Sequence, residues 1–158
     1  MVVVGVLSSE IFSRHPLMAV VTQRMNAEIA IRHFQSLDAF VADEWKLHNR
    51  GPRFSDLDAP CLIALPNLKH LVLTETAFTD AALPLVEGLT RLQILDLNMT
   101  AVTDAIATIL PQLKSLRTLG LYGPRITDST LVAIADLPDL QMLNIRKSDT
   151  ADFTLRAT

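Results

Sequence analysis

The 158-residue sequence has one cysteine, five glycines, few aromatic residues and no excess of basic charge. Cys61 cannot form an internal disulfide by itself, and no group of Cys and His residues has the spacing of a zinc site. Aromatic residues make up 5% of the chain, too few for a platform on which nucleic-acid bases stack. A formal net charge of −3 also lacks the basic footprint of a DNA- or RNA-binding protein. We expect no nucleic acid, metal or cofactor as ligand.

Long apolar runs are absent as well. The stretch Met1–Leu7 is apolar, but no Lys or Arg precedes it, and Arg14, His15 and Pro16 interrupt the sequence before the next apolar stretch. A membrane span needs about 20 apolar residues, and a signal peptide needs a cationic start and a longer apolar core. We therefore expect no membrane span and a cytoplasmic location. Residues 2–7 are interpreted as a short strand, with a degenerate export signal or a disordered start as alternatives.

A 24-residue internal repeat is what the sequence does have, within a chain of single-domain size in which 49% of residues are hydrophobic. Three apolar columns recur at this interval: Leu68, Leu92, Leu116, Leu140; Leu71, Leu95, Leu119, Leu143; and Leu73, Leu97, Leu121, Ile145. Thr-Asp recurs with them at Thr79-Asp80, Thr103-Asp104 and Thr127-Asp128. The register extends upstream to Leu47, Phe54 and Asp56, and downstream to Asp152.

Each copy of the repeat changes its apolar period from strand to helix. Leu71-Val72-Leu73 alternates with period 2, which indicates a short strand. Apolar residues then follow three apart, which predicts a helix of about two turns with one buried stripe. The stripe residues are Leu83, Val86, Leu89; Ala107, Leu110, Leu113; and Leu131, Ile134, Leu137. The unit is therefore predicted to be strand, turn, helix, turn, in the α/β class.

This pattern resembles the leucine-rich repeat proteins over residues 43–158, and the Thr-Asp pair is most similar to bacterial members and to the cysteine-containing class found beside F-box domains. The resemblance implies a solenoid with a parallel sheet on its concave side and short helices on its convex side. Family members share the scaffold and differ in ligand. The sequence departs from the common repeat after each strand, where Thr76, Thr100, Pro124 and Ser148 replace the usual Asn or Cys. The hydroxyls can still bond the turn backbone, whereas Pro124 interrupts that series.

The Thr-Asp pairs are interpreted as helix starts. A threonine at the N-cap accepts a hydrogen bond from an otherwise unpaired backbone N–H, and an aspartate in the first turn complements the helix dipole. A column of aspartates could also suggest a metal site, but each Asp is expected to act at the start of its own helix.

Outside the repeat, residues 1–42 are predicted to form an N-terminal segment with a capping helix, and residues 43–158 to form about four and a half repeats. Ile31, Phe34, Leu37, Val41 and Trp45 have helical spacing, so an amphipathic helix is predicted from Asn26, its cap, to Trp45. The sequence Leu7-Ser-Ser-Glu-Ile-Phe12 leaves an F-box-like helix as an alternative.

The last predicted strand, which ends near Ile145, is expected to be a sheet edge. Arg146 and Lys147 would blunt this edge, and Phe153 and Leu155 could start a final helix. The chain is read either as ending in a short polar cap or as part of a longer solenoid.

No motif of a known active site is present, so the protein is predicted not to be an enzyme. His48 and His70 could approach each other on one face, where a solvated patch is favoured over a metal site. Cys61 is expected to be a small buried or half-buried hydrophobic residue on the first repeat helix.

The outward strand positions are the predicted binding surface, because this face usually binds partners in solenoids. The predicted protein-binding residues are His70, Thr74, Asp96, Asn98, Tyr122, Asn144 and Arg146. Five strands offer only about 400 Å² of face, against about 800 Å² per partner in a stable interface. The sequence therefore predicts a non-catalytic module for protein–protein interaction. An adaptor that recruits a captured protein, or a structural fragment that self-associates through its C-terminal edge strand, remain alternatives.

Overall fold

The computed structural model of the chain describes residues 16–42, 45–123, 125–146 and 153–156, with side chains described within 26–145. Three α-helices are present in these ranges: α1 (Pro16–Ser36), α2 (Leu83–Glu87) and α3 (Asp128–Ala135). The strands are β1 (Phe40–Ala42), β2 (Lys46–Arg50), β3 (His70–Thr74), β4 (Ile94–Asp96), β5 (Thr118–Tyr122), β6 (Met142–Arg146) and β7 (Phe153–Arg156). Within the described residues, no helix has both the length and the apolar character needed to cross a membrane.

The seven strands form one open sheet in the order of the sequence. Strands β2 to β6 are parallel, and β1 and β7 pair antiparallel at the two ends. Each parallel pair is in the register of the repeat, since Leu71 pairs with Leu47 on one side and Leu95 on the other. The α/β class predicted from the sequence is confirmed.

The core lies on one face of this sheet. Leu47, Leu71, Leu95 and Leu119 are fully buried in the strands, and the helical segments that follow bury their own apolar residues against them. At the N-terminal end, Phe34, Phe54 and Phe78 form a row of rings with centroids 5.8 and 6.3 Å apart. The upstream copy marked by Leu47 and Phe54 is therefore built like the others.

The helical segments are shorter and tighter than predicted. Most are 3-10 helices: η1 (Ala59–Ala64), η2 (Asp80–Ala82) before α2, and the pair η3 (Asp104–Thr108) and η4 (Leu110–Gln112). Pro60, Pro84 and Pro111 occupy the first turn of η1, α2 and η4. Proline has no N–H to donate, so a longer regular helix is interrupted at these points.

The predicted stripe is correct in α2, where Leu83 and Val86 are buried. In the next two units Leu110, Leu113, Ile134 and Leu137 are also buried as predicted, and one predicted position in each unit is wrong. In α3, Leu131 is 37% exposed and Thr130 is fully buried in its place. In η3, Ile106 is buried while Ala107 is half-buried. The buried residues Ile126, Thr130, Ile134 and Leu137 lie four, four and three apart, which is the true helical period of this unit.

A left-handed residue follows three successive strands at the repeat interval. Gly51 has a φ of 107°, Glu75 of 60° and Met99 of 58°. Their backbone N–H groups donate to carbonyl oxygens of the next unit, those of Thr74, Asn98 and Tyr122, at 3.1, 2.9 and 2.7 Å. Just beyond, Thr76 and Thr100 donate to the carbonyls of Leu73 and Leu97, as their hydroxyls were predicted to do. Pro124 and Ser148 lie outside the described residues.

The N-terminal helix was predicted in the wrong place. It runs from Pro16 to Ser36, so Asn26 lies inside it and is not its cap. The chain turns at Asp38, which has a φ of 62°, and then enters β1. The residues of β1 were predicted to be the end of the helix. Ala27, Ala30 and Phe34 are the buried residues of the helix, while Trp45 is exposed in a turn before β2. The apolar spacing after Ser36 belongs to a strand and a turn that happen to continue the helical period.

The C-terminal edge was also predicted wrongly. Strand β7 pairs antiparallel with β6, Leu155 opposite Leu143, so β6 is an inner strand and Phe153 and Leu155 do not start a helix. Among the described residues, the C-terminal edge strand of the sheet is therefore β7 and not β6. Residues 1–15, with the predicted strand 2–7 and the F-box-like stretch, and also Lys147 and Asp152, lie outside the described residues.

Candidate functional site

The face of the sheet opposite the core is here called the outward face. It carries the residues that alternate with the buried leucines, so that His70, Val72 and Thr74 are half-buried while Leu71 and Leu73 are fully buried. Its positions on β2 to β6 are Lys46, His48, Arg50; His70, Val72, Thr74; Ile94, Asp96, Asn98; Thr118, Gly120, Tyr122; and Met142, Asn144, Arg146. This face divides into two parts of different character.

At the N-terminal end, five outward side chains contact one another and form what we call the aromatic–basic patch: Phe40, Trp45, Lys46, His48 and His70. Phe40 pairs with His48 across β1 and β2, with ring centroids 6.4 Å apart in an edge geometry. The Trp45 ring stands at 83° to the His70 ring, with centroids 5.2 Å apart.

Lys46 links the two ring pairs of this patch. Its Cα is the register partner of His70, and its ammonium lies 5.5 Å from the centroid of the Phe40 ring. That distance is within the range of a cation–π contact. Phe40 is 59% and Trp45 38% exposed, so the patch combines accessible aromatic surface with a fixed positive charge.

Both histidines of the patch are biased toward the neutral form. Burial, and then the charge of Lys46, lower the pKa of His48, with Asp96 acting weakly in the other direction. Burial, Lys46 and Lys69 lower the pKa of His70. The buried Nε2 of His48 has no hydrogen-bond partner among the described residues. A neutral ring avoids the larger cost of a buried, unpaired charge.

An ion pair borders the patch at the far end of β2. The Arg50 guanidinium donates to the Glu75 carboxylate at 2.8 Å, an interaction that raises the pKa of Arg50 and lowers the pKa of Glu75. Among the described residues of this region, Lys46 and Lys69 carry the positive charge that no ion pair neutralises, whereas Arg50 is paired; Asp43 and Glu44 lie outside the described residues.

The second part of the outward face, on β4 and β5, uses its polar side chains to hold the backbone. The Asp96 carboxylate accepts from the backbone N–H of Asn98 at 2.9 Å, and the Asn98 side-chain oxygen accepts from the N–H of Tyr122 at 2.7 Å. Gly120 leaves room for these two side chains, since a Cβ there would lie 2.9 Å from each of them. We call Asp96, Asn98, Gly120 and Tyr122 the backbone network.

The seven residues predicted to bind a partner therefore lie on one face but do not form one cluster. His70 belongs to the aromatic–basic patch, Thr74 ends β3, and three residues belong to the backbone network. Asn144 is exposed on β6, and Arg146, whose side chain is not described, ends the same strand. His48 and His70 lie on the same face of neighbouring strands, as predicted: His48 pairs with Val72 and His70 with Lys46, and the charge of His70 helps to lower the pKa of His48.

Sequence reasoning missed Phe40 and Trp45 as surface residues. Both were absorbed into the predicted helix or its apolar stripe, because they lie before the first clear copy of the repeat. A usable signal was present: Trp45 comes directly before Lys46, which lies 24 residues before His70, a predicted outward residue.

Asp80, Asp104 and Asp128 lie in the first turns of their own helical segments, as predicted. Three of the repeated aspartates also have a role that was not predicted. Each accepts hydrogen bonds from the threonine of the next unit: Asp56 from Thr79, Asp80 from Thr103, and Asp104 from Thr127. In every pair the carboxylate accepts from both the backbone N–H and the hydroxyl. The threonines cap their own helices as predicted, by accepting from Ala81, Ala105 and Ser129. The aspartates therefore connect neighbouring units instead of serving only their own helix.

A comparable contact ties α1 to the first unit. His33 Nε2 lies 2.8 Å from one oxygen of Asp58, whose other oxygen accepts from the backbone N–H and hydroxyl of Ser55. The serine bonds the carboxylate and not the imidazole, so the three residues lack the arrangement of a nucleophilic triad. Cys61 is half-buried on η1 as predicted, and burial raises the pKa of its thiol, which disfavours the reactive thiolate.

No set of His, Cys, Asp and Glu side chains that could hold a metal ion occurs in the part of the chain that the structure describes. Comparison with known proteins adds no assignment: no family model matches the sequence, and no curated protein matches it significantly.

Proposed function

We propose that the chain is a leucine-rich repeat solenoid that binds a protein or peptide on its outward strand face and catalyses no reaction. The observation that carries this proposal is the register. Parallel strands 24 residues apart align Leu47, Leu71, Leu95, Leu119 and Leu143 in one buried row, so the residues beside them form one continuous row on the other face. A repeat with a constant core and a variable face can change its ligand without changing its fold.

The composition of the two faces supports this division. The inward positions are leucine in unit after unit, whereas the outward positions include lysine, histidine, threonine, aspartate, asparagine and tyrosine. A face that served only to cover the core would not need an exposed Phe40 and a partly exposed Trp45. Large aromatic residues and arginine are the side chains that contribute most at protein interfaces.

The size of the face favours a peptide over a large partner. Seven strands at about 4.8 Å spacing make a sheet about 29 Å across, with a face of about 500 Å². A stable interface takes about 800 Å² from each partner. An extended segment of a partner, held along or across the strands, suits the smaller area.

The binding residues proposed from the sequence remain His70, Thr74, Asp96, Asn98, Tyr122, Asn144 and Arg146. Tyr122 offers the largest contact area of the group, and Asn144 is exposed on β6. A cytoplasmic location goes with the proposal, because a single half-buried cysteine provides no disulfide of the kind that caps many extracellular relatives.

Affinity capture with the full chain as bait, followed by titration of the captured protein, tests this function. Tyr122→Ala and Asn144→Ala should each weaken binding, and Lys114→Ala, an exposed residue between η4 and β5, is the control. If Lys114→Ala abolishes binding and the two face variants bind normally, the interface is on the helical side and the proposal is wrong.

A further inference from the structure

Among the described side chains, the exposed aromatic ones of the sheet lie at its N-terminal end. The chain has six phenylalanines, one tryptophan and one tyrosine, and Phe34, Phe54 and Phe78 are fully buried. Phe40 and Trp45 are the aromatic residues among the large exposed apolar side chains of the described residues. Because both side chains lie beside β2, apolar surface is exposed at one end of the face and is not buried in the core.

The patch contains a positive charge of its own. Lys46 lies within the patch and Lys69 next to His70, while Asp43 and Glu44, which precede Trp45 in the sequence, lie outside the described residues. Arg50 is paired with Glu75, and the carboxylate that acts on His48 is Asp96 on β4. The Lys46 ammonium beside the Phe40 ring complements a carboxylate.

The patch is preformed, because its members support one another. Trp45 packs edge-on against His70, Phe40 against His48, and Lys46 reaches from the first pair to the second. The backbone network on β4 and β5 differs in this respect, because its polar atoms are already bonded to main-chain groups. A ligand that needs new hydrogen bonds and apolar contact finds both at the N-terminal end.

We propose that the aromatic–basic patch binds a short peptide segment of a partner in which an Asp or Glu carboxylate lies next to an aromatic or aliphatic side chain. The carboxylate pairs with the Lys46 ammonium, and the apolar side chain packs against Phe40 and Trp45. The inference rests on the proposed function, and it adds the location of the main contact and the chemistry of the segment that is bound.

The test begins with a displayed library of random 12-residue peptides selected on the full-length chain. Enriched peptides are synthesised and titrated, with intrinsic fluorescence as one readout, because Trp45 is the only tryptophan of the chain. Peptides that themselves lack tryptophan should shift the Trp45 emission in a saturable way. The enriched sequences should share an acidic residue beside an apolar one.

Charge reversal at Lys46 supplies the residue-level test. Lys46→Glu should weaken an enriched peptide about tenfold or more, as truncation or reversal of a close charge pair does. Lys114→Glu is the matched control, with the same charge change at an exposed site on the helical side, and should alter affinity less than about twofold. A peptide whose acidic residue is replaced by lysine should lose binding to the natural chain and regain it with Lys46→Glu, which a general loss of folding cannot produce.

Trp45→Ala and Tyr122→Ala separate this inference from the proposed function. Weakened binding with Trp45→Ala and Lys46→Glu supports both proposals. If enriched peptides bind those two variants normally and lose affinity with Tyr122→Ala, the inference is overturned while strand-face binding stands. If enriched peptides lack acidic residues and bind every face variant normally, the inference is overturned. If no peptide is enriched, the inference is overturned and peptide binding is also removed as the function.

Discussion

The two halves of the outward face use polar residues in opposite ways. On β4 and β5, the side-chain oxygens of Asp96 and Asn98 accept hydrogen bonds from backbone N–H groups and so hold the backbone in place. On β1 to β3, Phe40, Trp45, Lys46, His48 and His70 contact one another and leave apolar area and charge accessible. A polar residue on a solenoid face is therefore a candidate ligand contact only after its backbone bonds have been examined.

The largest expected effect tests what the two halves share. Leu71→Ala under the patch and Leu95→Ala under the backbone network should each lower the free energy of unfolding by about 2–5 kcal/mol, because both leucines are fully buried and leave a cavity. Val132→Ala, at a residue that is 72% exposed on α3, is the control and should have little effect. Urea denaturation measures all three. An effect of Leu71→Ala as small as that of Val132→Ala would show that the first unit is not packed like the others.

A smaller effect is expected where the halves differ. Gly120→Ala should destabilise the chain by about 1–3 kcal/mol, since its Cβ would lie 2.9 Å from Asn98 Nδ2 and from Asp96 Oδ1. Gly88→Ala makes the same change where the nearest atom lies 3.8 Å away, and it should be close to neutral or slightly stabilising. Equal denaturation midpoints for the two variants would contradict the close packing of the backbone network.

Removal of one hydrogen bond should have a still smaller effect. Asn98→Ala leaves the Tyr122 N–H without its side-chain acceptor, which should cost about 0.5–1.5 kcal/mol. Asn144→Ala, the same change at an exposed position on β6, is the control and should leave stability nearly unchanged. If Asn98→Ala is neutral by the same measurement, then Asn98 is free to contact a ligand and the contrast between the halves disappears.

The smallest effect concerns the pH dependence of the patch. The pKa values of His48 and His70 lie below their ordinary value of 6.5, so below about pH 6.5 the unfolded chain binds more protons than the folded chain. The stability that the neutral rings contribute is complete above that pH and is lost as the pH falls. Lys46, Lys69 and Asp96 are the charged groups of other residues that act on them, and the charge of His70 also lowers the pKa of His48.

The melting temperature of the natural chain should therefore fall more between about pH 7.5 and pH 5.5 than that of the double variant His48→Gln, His70→Gln. Calorimetry at the two pH values gives the difference, in which the contributions of all other groups cancel. A steeper fall in the variant would mean that the folded protein favours the charged histidines.

Much of the sheet could be predicted from the sequence, because each inward position repeats at 24 residues and the strand pairs have that same register. The antiparallel strands could not be predicted in this way. Phe40–Ala42 continues the helical spacing of α1 across the Asp38 turn, and Phe153–Arg156 has no copy to be compared with. At the two ends of a repeat array the repeat pattern gives no information, so the structure there cannot be predicted from it.

The site was predicted less well for a related reason. The bonds of Asp80 to Thr103 and of Asn98 to Tyr122 join residues 23 and 24 positions apart, so they exist only once neighbouring units are stacked. Within one unit, Asp80 is indistinguishable from a helix-start residue and Asn98 from a free surface amide. Phe40 and Trp45 become surface residues only because a strand, and not a helix, follows α1.

The central claim is that the strand face, and not the helical side, is the binding surface. The most direct test is a nuclear magnetic resonance titration of the ¹⁵N-labelled chain with a library-selected peptide. We expect the shifted backbone amides to lie in β1 to β6, with the largest changes at residues 40–48 and at His70. Shifts confined to the helical segments 104–112 and 128–135, with the strands unaffected, would contradict the account.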